Sequence, residues 1–504
     1  MQRSDNGAAK AVRGSLAMLL AVAGFSFAIN LLTNNRYGFH RDELATLDDA
    51  RHLAWGYVAY PPVTPFFGSL SLHLFGTSLT GFRFFATLAD AIAVVLTGLM
   101  AREFGGGRGA QLLATTAAVP FSMIAGTLMQ YVSFDYLAWV GCTYFLVRLC
   151  KTNDPRWWTA IGASIGFGML TKYSMLVCAA AIVVAVLFSP LRRHLRTKWL
   201  WLGAALSILI FLPNLVWQFN HNFISLDFLR HIHERDVTIG RTKDFLPDQL
   251  LLTAFAAPLA LLGLCFFFVA RTGRRFRPVG WIYVIPFLVF LLAKGRSYYL
   301  APAYPVLYAS GSALGEQIVS SCRRPYVIAV RTAAVLAVLA NIVIGAAFFV
   351  PIAPINSKWA TRVLKSNDDL REEIGWEELV QTVAQIRNSL PDNERARSGI
   401  LAGNYGEAGA INLYGQHYGL PSALCGTNSF WARGYGDPPP EIVIAVGLGR
   451  QFLERHFESC ELAGLITNRL NVSNEETTDH RDIFVCRRLR SSWSEFWKNF
   501  RRYG

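Results

Sequence analysis

The stretch YGFHRDELATLDDARHLAWGYVAYPP, residues 37–62, carries four acids, Asp42, Glu43, Asp48 and Asp49. A carboxylate held beside a hydroxyl can take its proton, which is the work of a general base. Basic side chains nearby would hold an anion, arginine as a fork for phosphate oxygens and lysine as a point charge. Candidates for that second task recur along the chain. They are Arg83 in GFRFFATLAD, Lys172 in GMLTKYSM, and Lys294 and Arg296 beside Tyr298 and Tyr299 in AKGRSYYLAPAYP. A further acid, Asp135, stands in QYVSFDYLAWV. Together they suit an anionic group held next to a proton acceptor.

Helix geometry sorts the four acids. If Asp42 to Trp55 is helical, Asp42 and Asp49 share a face, because seven residues make about two turns. Glu43 then points ~100° away, so it cannot share the role of Asp42. Asp42 is the preferred base, and Glu43 and Tyr60 are left for substrate contact. Asp48 and Asp49 read as solvated charges, with Asp48 paired to Arg51. Leu44, Leu47, Ala54 and Trp55 form an apolar stripe that suits a helix lying on a membrane. Plainer readings exist for the others. Arg83, Lys172 and Lys294 suit snorkelling at an interface. Asp135 suits a helix cap, and the tyrosines an aromatic belt.

The elements that position these groups follow from hydropathy. Of 504 residues, 53% are hydrophobic and 16% charged, against roughly 25% charged in soluble chains. Apolar runs fit a ~30 Å hydrocarbon core near 14–33, 81–101, 109–128, 134–150, 157–170, 174–189, 199–217, 249–270, 279–293, 301–320 and 327–350. The first run follows Lys10 and Arg13 and reads as a retained helix, being longer than a signal-peptide core. With these eleven spans, the connections on the N-terminal side hold nineteen bases against three acids, while the opposite set balances. The excess of bases places the N-terminus in the cytoplasm. Loops 34–80 and 218–248 then lie outside, with Asp42, Lys172, Arg296 and the start of the Asp135 span on one face.

From Pro351 the texture changes, with 18 bases and 19 acids. The net charge of +14 therefore belongs to the membrane part and is a topology signal. No basic domain or aromatic stacking motif points to nucleic acid. GILAGNYGEAGAINLYGQHYGLP and PPPEIVIAVG read as short strands and turns of a small α/β domain, residues 351–504. Among its three cysteines, Cys425, Cys460 and Cys486, the expected pair is Cys460–Cys486. Loop 218–248 is expected to be a flexible polar cover. Its His221, His231, His233, Glu234 and Asp236 follow no strong ligand spacing. No cofactor is called for, and a divalent metal is the one the sequence leaves open.

Several stretches resemble one family. HRDELATLDDARHLAWGYVAYPP, FRFFATLADA, SFDYLAWV, GFGMLTKYS and KGRSYYLAPAYPVLYASGSAL are similar to bacterial members of the protein O-mannosyltransferase-like group, glycosyltransferase family 39 of the GT-C superfamily. NYGEAGAINLYG and GLPSALCGTNSFW extend the likeness into the C-terminal part. The resemblance implies a polytopic α-helical GT-C domain over residues 1–350, with about eleven transmembrane helices, and the α/β domain outside. It implies transfer of a sugar from a polyprenyl-phosphate donor to a lipid, glycan or protein acceptor at the outer face of a bacterial inner membrane. The family's motif puts the catalytic acid/base at Asp42 and its second acid at Asp135. It puts the donor phosphate on Lys172, Arg296 and Tyr299, with Arg83 nearby, and Lys294 joins them as a phosphate-binding candidate from its place in the same outer loop as Arg296. The chain departs from the pattern at Ala59 and Tyr60, where many members carry an acid or a lysine before the prolines. The competing reading is a transporter or lipid flippase, for which the sequence shows no inverted repeat.

Overall fold

The computed structural model describes residues 2–504, with side chains from Gly14 onward. Arg3, Lys10 and Arg13, counted above toward one membrane face, lie outside the described side chains. A helix stands at each of the eleven apolar stretches. Six are long and apolar enough to cross a membrane: Gly14–Thr33, Leu79–Glu103, Lys198–Asn220, Phe245–Phe268, Arg271–Leu292 and Arg324–Phe349. Met175–Leu187 with the bent turn Pro190–Arg196 makes a seventh. The others, Arg108–Ala125, Tyr131–Thr152, Trp157–Met169 and Tyr304–Ser320, are helical too. Length and composition alone thus pick out six or seven crossings among the eleven helices.

The two ends of the bundle differ in charge. At the end of Leu79–Glu103, Glu103 meets Arg102, Arg148 and Lys151. Arg83 marks the other end, about 30 Å away at 1.5 Å per residue. At that end the expected outer loops are largely helical. Arg41–Arg51 and Val63–Phe75 occupy the first and Ile224–Thr238 the second, which is therefore not the flexible loop expected.

The helix Arg41–Arg51 starts with a capping box. The side chain of His40 accepts from the Asp42 N–H, and Glu43 accepts from the His40 N–H at 3.0 Å. It does not lie on a membrane. Leu44 and Leu47 are buried in a core shared with Phe82, Phe134 and the C-terminal residues Trp376, Leu379 and Ile411. Ala54 and Trp55, beyond the helix end, stay exposed, Trp55 at 59%.

Past residue 350 the chain builds a five-stranded mixed sheet. Its strands are β1 (Ser398–Ala402), β2 (Ala423–Cys425), β3 (Ile442–Val446), β4 (Phe457–Leu465) and β5 (Asp482–Leu489). The order is β2-β1-β3-β5-β4, parallel across the first three and antiparallel across the last three. β3 is apolar throughout, β1 is so apart from Ser398, and both are wholly buried, as strands covered on both faces should be. The helix Trp376–Ser389 covers one face and Phe496, Trp497 and Phe500 the other. Cys460 and Cys486 are disulfide-bonded across β4 and β5.

The helix Tyr405–Tyr414 carries the sheet's contact to the bundle, against Arg41–Arg51. The two backbones meet at Gly409, where a Cβ would come within 2.6 Å of the Leu44 carbonyl oxygen. Only glycine permits that approach. Gly409→Ala is expected to force the helices apart and cost about 1–3 kcal/mol. A thermal melt checks this, and an unchanged midpoint would mean the helices do not pack so closely.

Candidate active site

One large cavity, about 940 Å³, opens between the charged end of the bundle and the C-terminal sheet. Asp42 and Asp49 both line it, as their shared helix face requires, together with Tyr60, Lys172, Arg296 and Tyr299. These residues come from four separate segments. Asp42 is 43% exposed at the side chain and accepts two hydrogen bonds, each 2.8 Å long. One comes from Gln130 Nε2, the residue before Tyr131–Thr152, and the other from the Tyr405 hydroxyl.

Lys172 sits in the turn between Trp157–Met169 and Met175–Leu187. Its ammonium lies 4.9, 4.8 and 4.3 Å from the ring centres of Tyr131, Tyr298 and Tyr299. Among the described residues no carboxylate lies within 4.0 Å of it. The ring faces are negative and partly offset the buried charge, leaving the ammonium's donors for an anion.

Arg296 is already paired. Its Nε donates to Asp236 at 2.5 Å, and Arg235 and Arg241 approach the same carboxylate at 3.5 and 3.9 Å. Burial alone would raise the Asp236 carboxyl. The hydrogen bond and charge of Arg296, then Arg235 and Arg241, outweigh it and hold it below the usual carboxylate range. Asp236 thus fastens the helix Ile224–Thr238 across the cavity. The other candidates of that segment do not gather as ligands: His221 stacks on Trp217 at 3.9 Å, and His231 faces Tyr503 at 5.8 Å. Among the described residues no three His, Cys, Asp or Glu side chains converge as a metal would require.

Several expectations need correction. Arg83 does not reach the cavity. It is fully buried and spends its fork inside the protein, on Glu43 at 2.9 and 2.5 Å, on Glu373 at 3.2 Å, and on the carbonyls of Asn34 and Gly38. Glu43 is correspondingly structural, because it also accepts from the Met129 N–H at 2.7 Å. Lys294 is exposed, with φ at 50°, and lies off the cavity wall. Asp135 lies behind the wall, buried, with Ser174 donating to it at 3.3 Å and Lys172 as its charged neighbour. It is not the cap of its helix, which starts after Gln130. Asp48 and Asp49 are buried, not solvated. Arg433 pairs with both, Asn412 donates to Asp48 at 2.7 Å, and Tyr60 donates to Asp49 at 2.7 Å. Tyr131, Gln130 and Tyr405 were not singled out from sequence. The polar opening of a helix could have flagged the first two, whereas Tyr405 lies 363 residues from its partner.

Similarities to known proteins run through this region. Residues 59–217 match the family model described as dolichyl-phosphate-mannose-protein mannosyltransferase. A 208-residue stretch is 26% identical to the lipopolysaccharide core galacturonosyltransferase RgtB of Rhizobium johnstonii, over 40% of this chain and 41% of that protein. An uncharacterized protein of Aquifex aeolicus is 24% identical over 56% of this chain and 58% of its own length. The chain therefore spans about half the length of the curated relatives it matches. Among solved structures, ArnT of Cupriavidus metallidurans in the apo state superposes with a TM-score of 0.57 at 15% identity, over 94% of this chain and 98% of that one. The same protein bound to undecaprenyl phosphate gives 0.54 at 16%, with the same coverage. The chain thus shares its mostly helical overall fold with ArnT.

Two predictions follow from the buried arginine. Arg83→Met leaves the buried Glu43 carboxylate without its cation and Glu373 without its partner, and is expected to cost about 3–5 kcal/mol, measured by thermal or denaturant unfolding. Glu373 is pushed up to about 8, by burial first and by Glu43 in addition, against the opposing charge of Arg83. Its folded state therefore keeps a proton that the unfolded chain releases near 4.5. The stability it contributes is full below that value and is lost as pH rises toward 8. Glu373→Gln should flatten the pH dependence of the melting temperature across this window, and an unchanged slope would refute the assignment.

Proposed function

We propose that the chain is a membrane glycosyltransferase that moves a sugar from a polyprenyl-phosphate donor to a hydroxyl of a cell-envelope acceptor. The observation that carries this reading is the single cavity in which a clamped carboxylate, Asp42, shares the wall with Lys172, an ammonium ringed by tyrosines. Asp42 acts as the general base. It takes the acceptor's proton as the hydroxyl oxygen bonds to the anomeric carbon and the bond to the phosphate oxygen breaks. Such a base is worth about 10²–10⁴-fold in rate. The phosphate leaves with its negative charge, which Lys172 stabilises with Arg296 and the Tyr299 hydroxyl. A double displacement needs a second carboxylate ~5 Å away to act as nucleophile. Asp135 lies off the cavity wall, which favours a single displacement with inversion.

The family match and the name of RgtB support glycosyl transfer, and the undecaprenyl phosphate bound to ArnT supports the donor's lipid. The acceptor belongs to lipopolysaccharide, as in RgtB's name, to another glycan, or to a protein hydroxyl. In this reading eleven helices over residues 1–350 cross a bacterial inner membrane with the N-terminus inside. Residues 351–504 stand outside and close the cavity. A transporter would need its charges near mid-membrane, whereas here they gather at one end.

Asp42→Asn is expected to fold normally and to lose transfer by at least about 10²-fold, assayed with polyprenyl-phosphate sugars and envelope extract. Wild-type transfer by this variant would sink the reading. Arg296→Ala should weaken binding of undecaprenyl phosphate while leaving Asp42 and Tyr405 in place, and equal affinity would count against its role.

A further inference from the structure

Asp42 is held by two donors that lie far apart in sequence. The Tyr405 hydroxyl approaches Oδ1 and Gln130 Nε2 approaches Oδ2, each at 2.8 Å. Tyr405 is itself fixed. The guanidinium of Arg41 lies 5.1 Å from its ring centre, and Arg41 is paired with Glu475. Its helix starts with a capping box between Asn404 and Glu407 and is seated on Leu44 through Gly409. Burial, then the negative charge of Asp42, push the phenol well above its ordinary value, so the hydroxyl stays a donor.

Hydrogen bonds donated to a carboxylate favour its ionised form. Two of them from fixed groups also set the plane of the carboxylate before a substrate arrives, which preorganises a base. A residue that served only to pack the two parts of the molecule together would not need its hydroxyl on that oxygen.

We propose that Tyr405 is a positioning residue for the reaction: with Gln130 it locks the Asp42 carboxylate in its charged, base-competent orientation, so that the C-terminal sheet domain is part of the catalytic unit. This rests on the reading of Asp42 as the base. The catalytic carboxylate then works only when the C-terminal domain is docked. Displacing the helix Tyr405–Tyr414 would weaken the base without touching the donor's lysine.

The test uses the full-length protein and Tyr405→Phe, which keeps the ring and removes the donor. The constants kcat and KM are measured with undecaprenyl-phosphate-linked sugars and envelope extract, and melting temperature reports folding. The expected result is a fall in kcat of roughly tenfold with the KM for the donor unchanged. Gln130→Leu should lower kcat in the same way. An unchanged kcat, or a loss carried by the donor's KM, would overturn the proposal. Asp42→Asn in the same assay separates the two claims. If it transfers sugar, the assignment of the base fails. If it is inactive while Tyr405→Phe keeps its kcat, only the positioning role fails.

Discussion

A buried guanidinium holds the architecture of the site. Arg83, fully enclosed, ties Glu43 of the acidic helix, Glu373 of the C-terminal part and the carbonyls of residues 34 and 38 to the first turn of Leu79–Glu103. An arginine so placed cannot be left half paired, because each unmet donor would cost a lost hydrogen bond without water to replace it. Satisfying it fixes Glu43, and Glu43 is adjacent to Asp42. Pointing one side chain inward turns the other outward by ~100°, into the cavity. The Asp42 carboxylate is therefore aimed by its neighbour's burial.

The cavity has two walls of different character. On one side Lys172, Arg296, Arg235 and Arg241 gather around a turn and the helix Ile224–Thr238, with Asp236 as the counter-charge of the three arginines. On the other, Asp42 and Asp49 face in from the acidic helix, with Glu475 and Glu372 from the C-terminal part. In the proposed reaction a lipid phosphate takes its partners from the first wall and a hydroxyl its proton acceptor from the second. Lys172 is kept from a carboxylate pair by its ring of tyrosines, whereas Arg296 must exchange Asp236 for any other anion it binds.

Much of this was legible in the sequence. Long apolar runs have few alternatives to helices, and each became one. Seven-residue spacing put Asp42 and Asp49 on a common face, and both line the cavity. Short apolar runs between turn residues marked the sheet. What could not be read depends on partners distant in the chain. Arg83 resembles a free interfacial cation until Glu43 and Glu373 fold around it. Asp48 resembles a local partner for Arg51 until Arg433 arrives from beyond residue 400. The polar segment 218–248 resembles a loose cover because its anchor, Asp236 to Arg296, joins two segments that hydropathy treats separately. The apolar stripe of the acidic helix was recognised but misassigned, because burial against protein and burial against lipid require the same residues.

The central claim is that one cavity holds the donor phosphate on Lys172 and presents its sugar to Asp42. The most direct measurement is a structure of the Asp42→Asn protein in lipid nanodiscs with an undecaprenyl-phosphate-linked sugar bound. The account predicts phosphate oxygens within hydrogen-bond reach of Lys172, and an anomeric carbon facing residue 42 across a gap wide enough for one hydroxyl. A phosphate bound elsewhere, or a sugar turned away from residue 42, would contradict it.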